Sequence, residues 1–140
     1  MHLSAFEGAW ELARDIADAR SGQRGRFVGR ARFIPTPEGL RYREEGELTL
    51  GDGPGITATR DYLWRAGADG AIEVLFADGR LFHSFHPADP APTAEHECPP
   101  DLYRARYDFA AWPCWQVEWR VSGPRKDYDM VSRFRPAGAP

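Results

Sequence analysis

Hydrophobic and polar residues alternate with a period of two along most of this chain. Such alternation predicts β-strands with one buried face, because successive side chains of a strand point to opposite sides. Turn sequences such as PTPEG, GDGPG and GADG separate the alternating runs. The predicted strands, about nine in all, cover residues 10–18, 26–35, 40–50, 56–66, 71–77, 81–87, 101–110, 114–122 and 127–135.

The connections between the predicted strands are short, which favours pairing between strands that follow one another. A meander of this kind leaves exposed edges unless it closes, so the pattern predicts an all-β fold, an antiparallel up-and-down barrel. A short helical turn is expected before Gly8, and a long loop over residues 88–100. We expect residues 1–136 to form one barrel domain and the tail 137–140 to be disordered.

Alternation also predicts which side chains face the barrel interior. On the fourth strand Ile56 shares the inward face with Arg60, and on the sixth strand Leu81 shares it with His83. Burying a charge costs several kcal/mol unless it is paired or solvated. Either the inward charges neutralise one another in a closed core, or the barrel holds water and a ligand. The polar residues at predicted inward positions are Arg14, Glu44, Arg60, Tyr62 and His83.

Composition narrows the class of protein. The 140 residues suit one domain, and the formal net charge of −3 comes with no basic face for nucleic acid. No stretch approaches the roughly 18 apolar residues of a membrane helix, and the first ten residues do not resemble a signal peptide. These features predict a cytoplasmic protein without a nucleic-acid or membrane partner. Cys98 and Cys114 are then expected to be reduced thiols.

The start of the first strand resembles that of the calycins, the superfamily of lipocalins and fatty-acid-binding proteins. Phe6 followed by Gly8 and Trp10 is similar to their Gly-x-Trp opening. The resemblance implies a calycin-type barrel whose closed end is plugged by Trp10, with an arginine of the last strand packed across it. Arg133 best matches that arginine, and Arg135 is second.

Most of the chain resembles an uncharacterised bacterial and fungal family of calycin-like domains. That resemblance implies a fold but no established activity. The chain lacks the helical lid of fatty-acid-binding proteins and the signal peptide and disulfides of secreted lipocalins, so their ligands are not carried over. The matching pieces are W-x-L-x-R at 10–14, Y-x-E-x-G at 42–46, R-x-Y at 60–62, DGRLFHSF at 78–85, HECPPDLY at 96–103 and VSGPRKDY at 121–128.

Arg60 and Tyr62 form the most specific candidate binding site. They lie two residues apart on one strand, so a guanidinium and a phenol share a face and can hold a carboxylate. Arg14 would add a second positive group, and Glu44 a balancing acid. A buried network of these groups without a ligand explains the same pattern. The candidate ligand-binding residues are Arg14, Tyr42, Glu44, Arg60, Tyr62, His83, Tyr103 and Tyr128.

A transition-metal site is a weaker alternative. His83, His96 and Cys98 have suitable chemistry if the long loop folds over the barrel, but their spacing matches no zinc module. We therefore expect no metal and no cofactor. The sequence also shows no nucleophile with a recognisable His–Asp arrangement and no phosphate-binding glycine loop, so it assigns no catalytic residues.

Together these features favour a cytoplasmic protein that binds a small molecule, in particular a small organic acid, inside a partly polar barrel. The arginines would pair with charge, the tyrosines would orient the ligand, and His83 would act as a switchable donor or acceptor. One alternative is a small barrel enzyme that decarboxylates or isomerises a small acid by acid–base chemistry. The other is a protein-interaction module with a filled core.

Overall fold

The computed structural model describes residues 1–138 and consists almost entirely of β-strands, as the alternation predicts. A 3-10 turn over Leu3–Phe6 precedes the first strand, which confirms the expected helical turn, and a second covers Ala68–Gly70. No helix in the described part of the chain has the length and hydropathy needed to cross a membrane. The strands are β1 (Gly8–Asp18), β2 (Arg24–Thr36), β3 (Gly39–Leu50), β4 (Ile56–Ala66), β5 (Ile72–Phe76), β6 (Leu81–Phe85), β7 (Thr93–Cys98), β8 (Asp101–Asp108), β9 (Trp115–Ser122) and β10 (Asp127–Pro136).

The ten strands form one antiparallel sheet in the order β6-β5-β4-β3-β2-β1-β10-β9-β8-β7. The two ends of this order, β6 and β7, lie beside each other in space. Within residues 1–138, no ladder of backbone hydrogen bonds joins them. The sheet is therefore a nearly closed barrel with one open seam, which lies between β6 and β7.

The predicted loop over residues 88–100 is wrong for its second half, which forms β7. This strand pairs with β8, and Ala94 lies opposite Ala105. Ala94 is buried, whereas Thr93, Glu95 and Glu97 are exposed on the outer face. Charged residues and nearby prolines are typical of an edge strand, and the inward positions carry Ala94 and the polar His96, so the apolar half of the alternation is weak.

An aromatic core closes one end of the barrel. Phe6, from the 3-10 turn, is fully buried, and its ring centroid lies 5.2 Å from those of Trp64 and Trp112. The indole Nε1 of Trp10 donates a hydrogen bond of 2.8 Å to the carbonyl of Phe6. This bond ties the turn to β1, so residues 3–10 fill this end of the barrel.

Arg133 does not pack across Trp10, so this detail of the resemblance is wrong here. The alternation of β10 turns Phe134 inward and Arg133 outward, where Nη1 of Arg133 lies 2.9 Å from Oδ2 of Asp15. Phe134 stacks on Trp115 in the closed end, with ring centroids 3.9 Å apart.

Gly29 of β2 and Gly46 of β3 lie opposite each other and allow their strands to approach closely. A Cβ on Gly29 would lie 2.0 Å from the carbonyl oxygen of Glu45, so no side chain fits there. Because position 29 lacks a side chain, nothing projects from β2 into the barrel interior at this point. A long side chain on β1 can therefore reach across β2 to β3.

Candidate functional site

The end of the barrel opposite Phe6 is open. Five hairpins lie there, the connections β1–β2, β3–β4, β5–β6, β7–β8 and β9–β10. Most inward-facing side chains at this open end are only half-buried, although Val121 is fully buried, whereas most of those around Phe6 are buried. Solvent therefore reaches into the barrel from this side. The half-buried inward-facing residues are Ile16, Leu48, Ala58, Tyr62, Phe82, Tyr103, Trp119, Tyr128 and Met130.

Arg14 and Glu44 form a bidentate ion pair inside the barrel. The Arg14 side chain reaches Glu44 over Gly29, where β2 has no side chain. Nη1 of Arg14 lies 2.8 Å from Oε2 of Glu44, and Nη2 donates to Oε1 at 3.0 Å. The Nε of Arg14 donates to Oγ of Ser132 at 2.7 Å, and the Tyr42 hydroxyl donates to Oε1 of Glu44 at 2.7 Å. Three of the predicted site residues thus form one network whose charged groups are already satisfied.

Electrostatics keep this pair ionised. Burial alone would raise the pKa of the Glu44 carboxyl, but the hydrogen bonds and charge of Arg14, together with the Tyr42 hydroxyl, hold that pKa below its usual value. Burial and the charge of Glu44 raise the pKa of Tyr42 well above its usual value, so Tyr42 remains a donor. Glu44 is therefore poorly suited to accept a proton near neutral pH.

Arg60 lies on the predicted inward face but at the rim of the open end, so its side chain is exposed. Of the two possibilities for the inward charges, Arg60 thus faces solvent rather than a closed core. Nη1 of Arg60 lies 3.4 Å from the Tyr62 hydroxyl, at the long limit of a hydrogen bond. No carboxylate in residues 1–138 forms an ion pair with Arg60. Since Arg14 is neutralised by Glu44, Arg60 leaves one positive charge at the rim.

His83 belongs to a separate buried pair. Its Nε2 lies 2.7 Å from the Tyr107 hydroxyl, and no hydrogen bond of the described residues joins it to Arg14 or Glu44. Burial, with a smaller contribution from the nearby His96, lowers the pKa of His83 to about 3. The imidazole is therefore neutral in the folded protein at physiological pH.

The buried His83 predicts acid sensitivity. In the unfolded chain His83 has a pKa near 6.5 and binds a proton, whereas the buried imidazole of the folded protein stays neutral. The free energy of unfolding therefore falls as the pH drops below 6.5. We expect the free energy of unfolding to fall by roughly 2 kcal/mol between pH 6 and pH 4.5. Glu44 affects the stability only at lower pH, because the pKa of its carboxyl in the unfolded chain is 4.5. Urea unfolding of wild type and His83→Gln at both pH values measures this slope. An equal slope in the variant would contradict the assignment.

Tyr103 and Tyr128 line the open end as predicted from alternation, and both are half-buried. The Tyr103 hydroxyl accepts a hydrogen bond of 2.9 Å from Nζ of Lys126, which also lies 3.1 Å from Oδ2 of Asp101. Lys126 is thus engaged by an acid, unlike Arg60.

Phe82 is the interior residue that alternation missed. Val74 pairs with His83, and Leu75 pairs with Leu81, so Phe82 is an extra residue in a β-bulge. The bulge reverses the alternation, which turns Phe82 inward and leaves Leu81 52% exposed, contrary to the prediction. Ile56 lies on the same face of β4 as Ala58 and Arg60, but at the open end it is 54% exposed.

The alternative metal set is not assembled. Cys98 is exposed, and Nε2 of His83 is already bonded to Tyr107. In the described residues, no three His, Cys, Asp or Glu side chains are close enough together to hold a metal ion.

A concavity of about 610 Å³ crosses β7, β8, β9 and β10, and two others lie elsewhere on the sheet. One, of about 510 Å³, follows the β6–β7 seam. The other, of about 670 Å³, lies on the outer face of β1, β2 and β10. In that outer groove Arg135 is paired with Glu11, and Arg133 with Asp15. Arg30 also lines the outer groove and has no acid partner among the described residues, so the open end is distinguished by the Tyr62 hydroxyl beside Arg60 and by its half-buried aromatic side chains.

Comparison with known proteins supports the fold. The model of DUF6314, a family of unknown function, matches residues 6–136. An S-type phycobiliprotein lyase from Guillardia theta has a similar structure, with a TM-score of 0.69 at 9% identity over 99% of this chain and 92% of the lyase. A designed fluorescence-activating β-barrel matches with a TM-score of 0.41 at 18% identity, covering 98% of this chain and all of the design. No curated protein matches the sequence.

Proposed function

The chain belongs to DUF6314, a family of unknown function, and we propose that it is a calycin-type barrel that binds a small organic acid at its open end. Arg60 holds the carboxylate, with the Tyr62 hydroxyl as a further donor. The body of the ligand lies against the half-buried aromatic side chains inside the rim, among them Trp119 and Tyr103. Because Cys98 and Cys114 are free and exposed, the proposal includes a cytoplasmic location, where thiols stay reduced.

The observation that carries the proposal is the difference between the two arginines. Arg14 donates its hydrogen bonds to Glu44 and Ser132, and its side chain is only 14% exposed. Arg60 has a tyrosine beside it and no acid partner in the described part of the chain. A guanidinium held near a phenol above an apolar wall suits an amphipathic anion, because carboxylates accept charge-assisted hydrogen bonds from such a fork.

The two alternatives are less well supported. An acid–base enzyme needs a carboxylate free to take up a proton, and both oxygens of Glu44 are engaged by Arg14. A module with a filled core would bury the inward-facing side chains at both ends of the barrel. Here Tyr62 and Trp119 remain half-buried at the open end.

A thermal-shift screen tests the proposal. Small carboxylic acids are compared with their primary amides, which keep the shape and lose the charge. We expect acids to raise the melting temperature of the wild type, since a ligand selective for the folded state stabilises it, and amides to have little effect. Arg60→Leu should abolish the shift while keeping nearly wild-type stability, because an exposed substitution changes stability by less than about 0.5 kcal/mol.

Arg32→Leu is the matched control, since Arg32 is an exposed strand arginine on the outer face of β2. This variant should retain the acid-dependent shift. If no acid shifts the wild type, or if both leucine variants respond equally, Arg60 is not a ligand-binding residue.

A further inference from the structure

The lumen of the open end contains an aromatic ring that spans it. The Phe82 ring lies nearly parallel to Trp119, with an interplanar angle of 5° and centroids 5.2 Å apart. It also stacks on Tyr62, at 20° and 5.7 Å. Tyr62 is on β4 and Trp119 on β9, which are on opposite sides of the barrel in the sheet order. The Phe82 ring thus lies in a slot between the rings of Trp119 and Tyr62 that has room for one flat ring.

Phe82 is less buried than Phe6 at the closed end, and its ring also stacks on Phe76, with centroids 4.7 Å apart. It is the extra residue of a bulge, so its backbone has no partner on β5. The strand that carries it, β6, has five residues and borders the open seam. Phe82 is half-buried, whereas Phe85 on the same strand is 1% exposed. A bulge on an edge strand can change the direction of its side chain without breaking a ladder on both sides.

We propose that Phe82 is an internal substitute for the ligand's ring, and that the open end takes a monocyclic aryl carboxylate, whose ring replaces that of Phe82. This inference rests on the proposed function and specifies its ligand class. A ligand ring in the slot regains the flat contacts with Trp119 and Tyr62 that Phe82 gives up. Its carboxylate then lies near the Tyr62 hydroxyl, which is 3.4 Å from Arg60.

Phe82→Ala tests this exchange, with benzoate and phenol as the probes. Removing the competing ring should tighten benzoate binding at least tenfold over the wild type. Phenol, which is neutral at pH 7, should bind Phe82→Ala and not the wild type, and the indole N–H signal of Trp119 in an NMR titration reports both events. Cyclohexanecarboxylate should gain less than benzoate, because its ring is not flat. Leu81→Ala, next along β6 but exposed, should leave every affinity unchanged.

A second measurement uses the intact side chain. With 4-fluorophenylalanine at position 82, saturating benzoate should move the fluorine resonance, while the same label at position 85 should not respond. This experiment decides the question if Phe82→Ala does not fold. An unmoved label at position 82, with benzoate bound, would overturn the exchange and assign Phe82 to the packed core.

The two proposals fail in different ways. If benzoate binds the wild type through Arg60, but Phe82→Ala neither tightens benzoate nor binds phenol, the ring-exchange inference is wrong and the proposed function stands. If phenol binds Phe82→Ala, but benzoate binds no better than benzamide, the slot exists and the acid-binding function is wrong.

Discussion

Glu44→Leu should lower the free energy of unfolding by about 3–5 kcal/mol, because it leaves the buried guanidinium of Arg14 without its charge partner. The ion pair uses two hydrogen bonds of 2.8 and 3.0 Å, and the Glu44 side chain is only 5% exposed. The Tyr42 hydroxyl would lose its acceptor in the same variant. Urea unfolding at pH 7 measures the loss.

The double variant Arg14→Met/Glu44→Leu is the control for this prediction. It removes both charges, so most of the lost stability should return, as for other buried pairs replaced by apolar residues. A Glu44→Leu variant as stable as the wild type would show that water, rather than Glu44, solvates Arg14.

Trp10→Ala should also cost about 3–5 kcal/mol, the range expected for removing a large buried aromatic side chain. Trp10 is 4% exposed and packs against Trp112 and Trp115 at centroid distances of 5.6 and 5.9 Å. The substitution also breaks its bond to the Phe6 carbonyl. Differential scanning calorimetry should show a clearly lowered melting temperature.

Arg133→Ala provides the comparison at the same end of the sheet. Its side chain is 55% exposed and pairs with Asp15, so its removal should cost no more than about 1 kcal/mol. If Arg133→Ala were as damaging as Trp10→Ala, the outward placement of Arg133 would be wrong.

Much of the interior is readable from the sequence, because a strand with one buried face imposes a strict period of two. The inward positions of Arg14, Glu44 and Trp10 follow from that period alone. The same period would have placed Arg133 outside, since Phe134 and Ser132 face inward on the same strand. The match of Arg133 to the calycin arginine conflicts with this period, and the structure follows the period.

Other features depend on information that a period of two does not contain. Alternation gives the face on which Arg60 lies, but its height in the barrel depends on strand register, and that height decides between a buried charge and an exposed rim. Phe82 was missed because a single bulge reverses the pattern. The strand β7 was missed because its inward positions carry the weakly apolar Ala94 and the polar His96.

The most direct test of acid binding at the open end is an NMR titration that follows the indole N–H signals of the five tryptophans. Trp119 is half-buried at the open end, whereas Trp10, Trp64 and Trp115 are buried at the closed end. Benzoate should shift the Trp119 signal in a saturable way and leave those three in place, and Arg60→Leu should remove the shift. Saturable shifts confined to the closed-end tryptophans, or an unchanged Trp119 signal, would contradict the account.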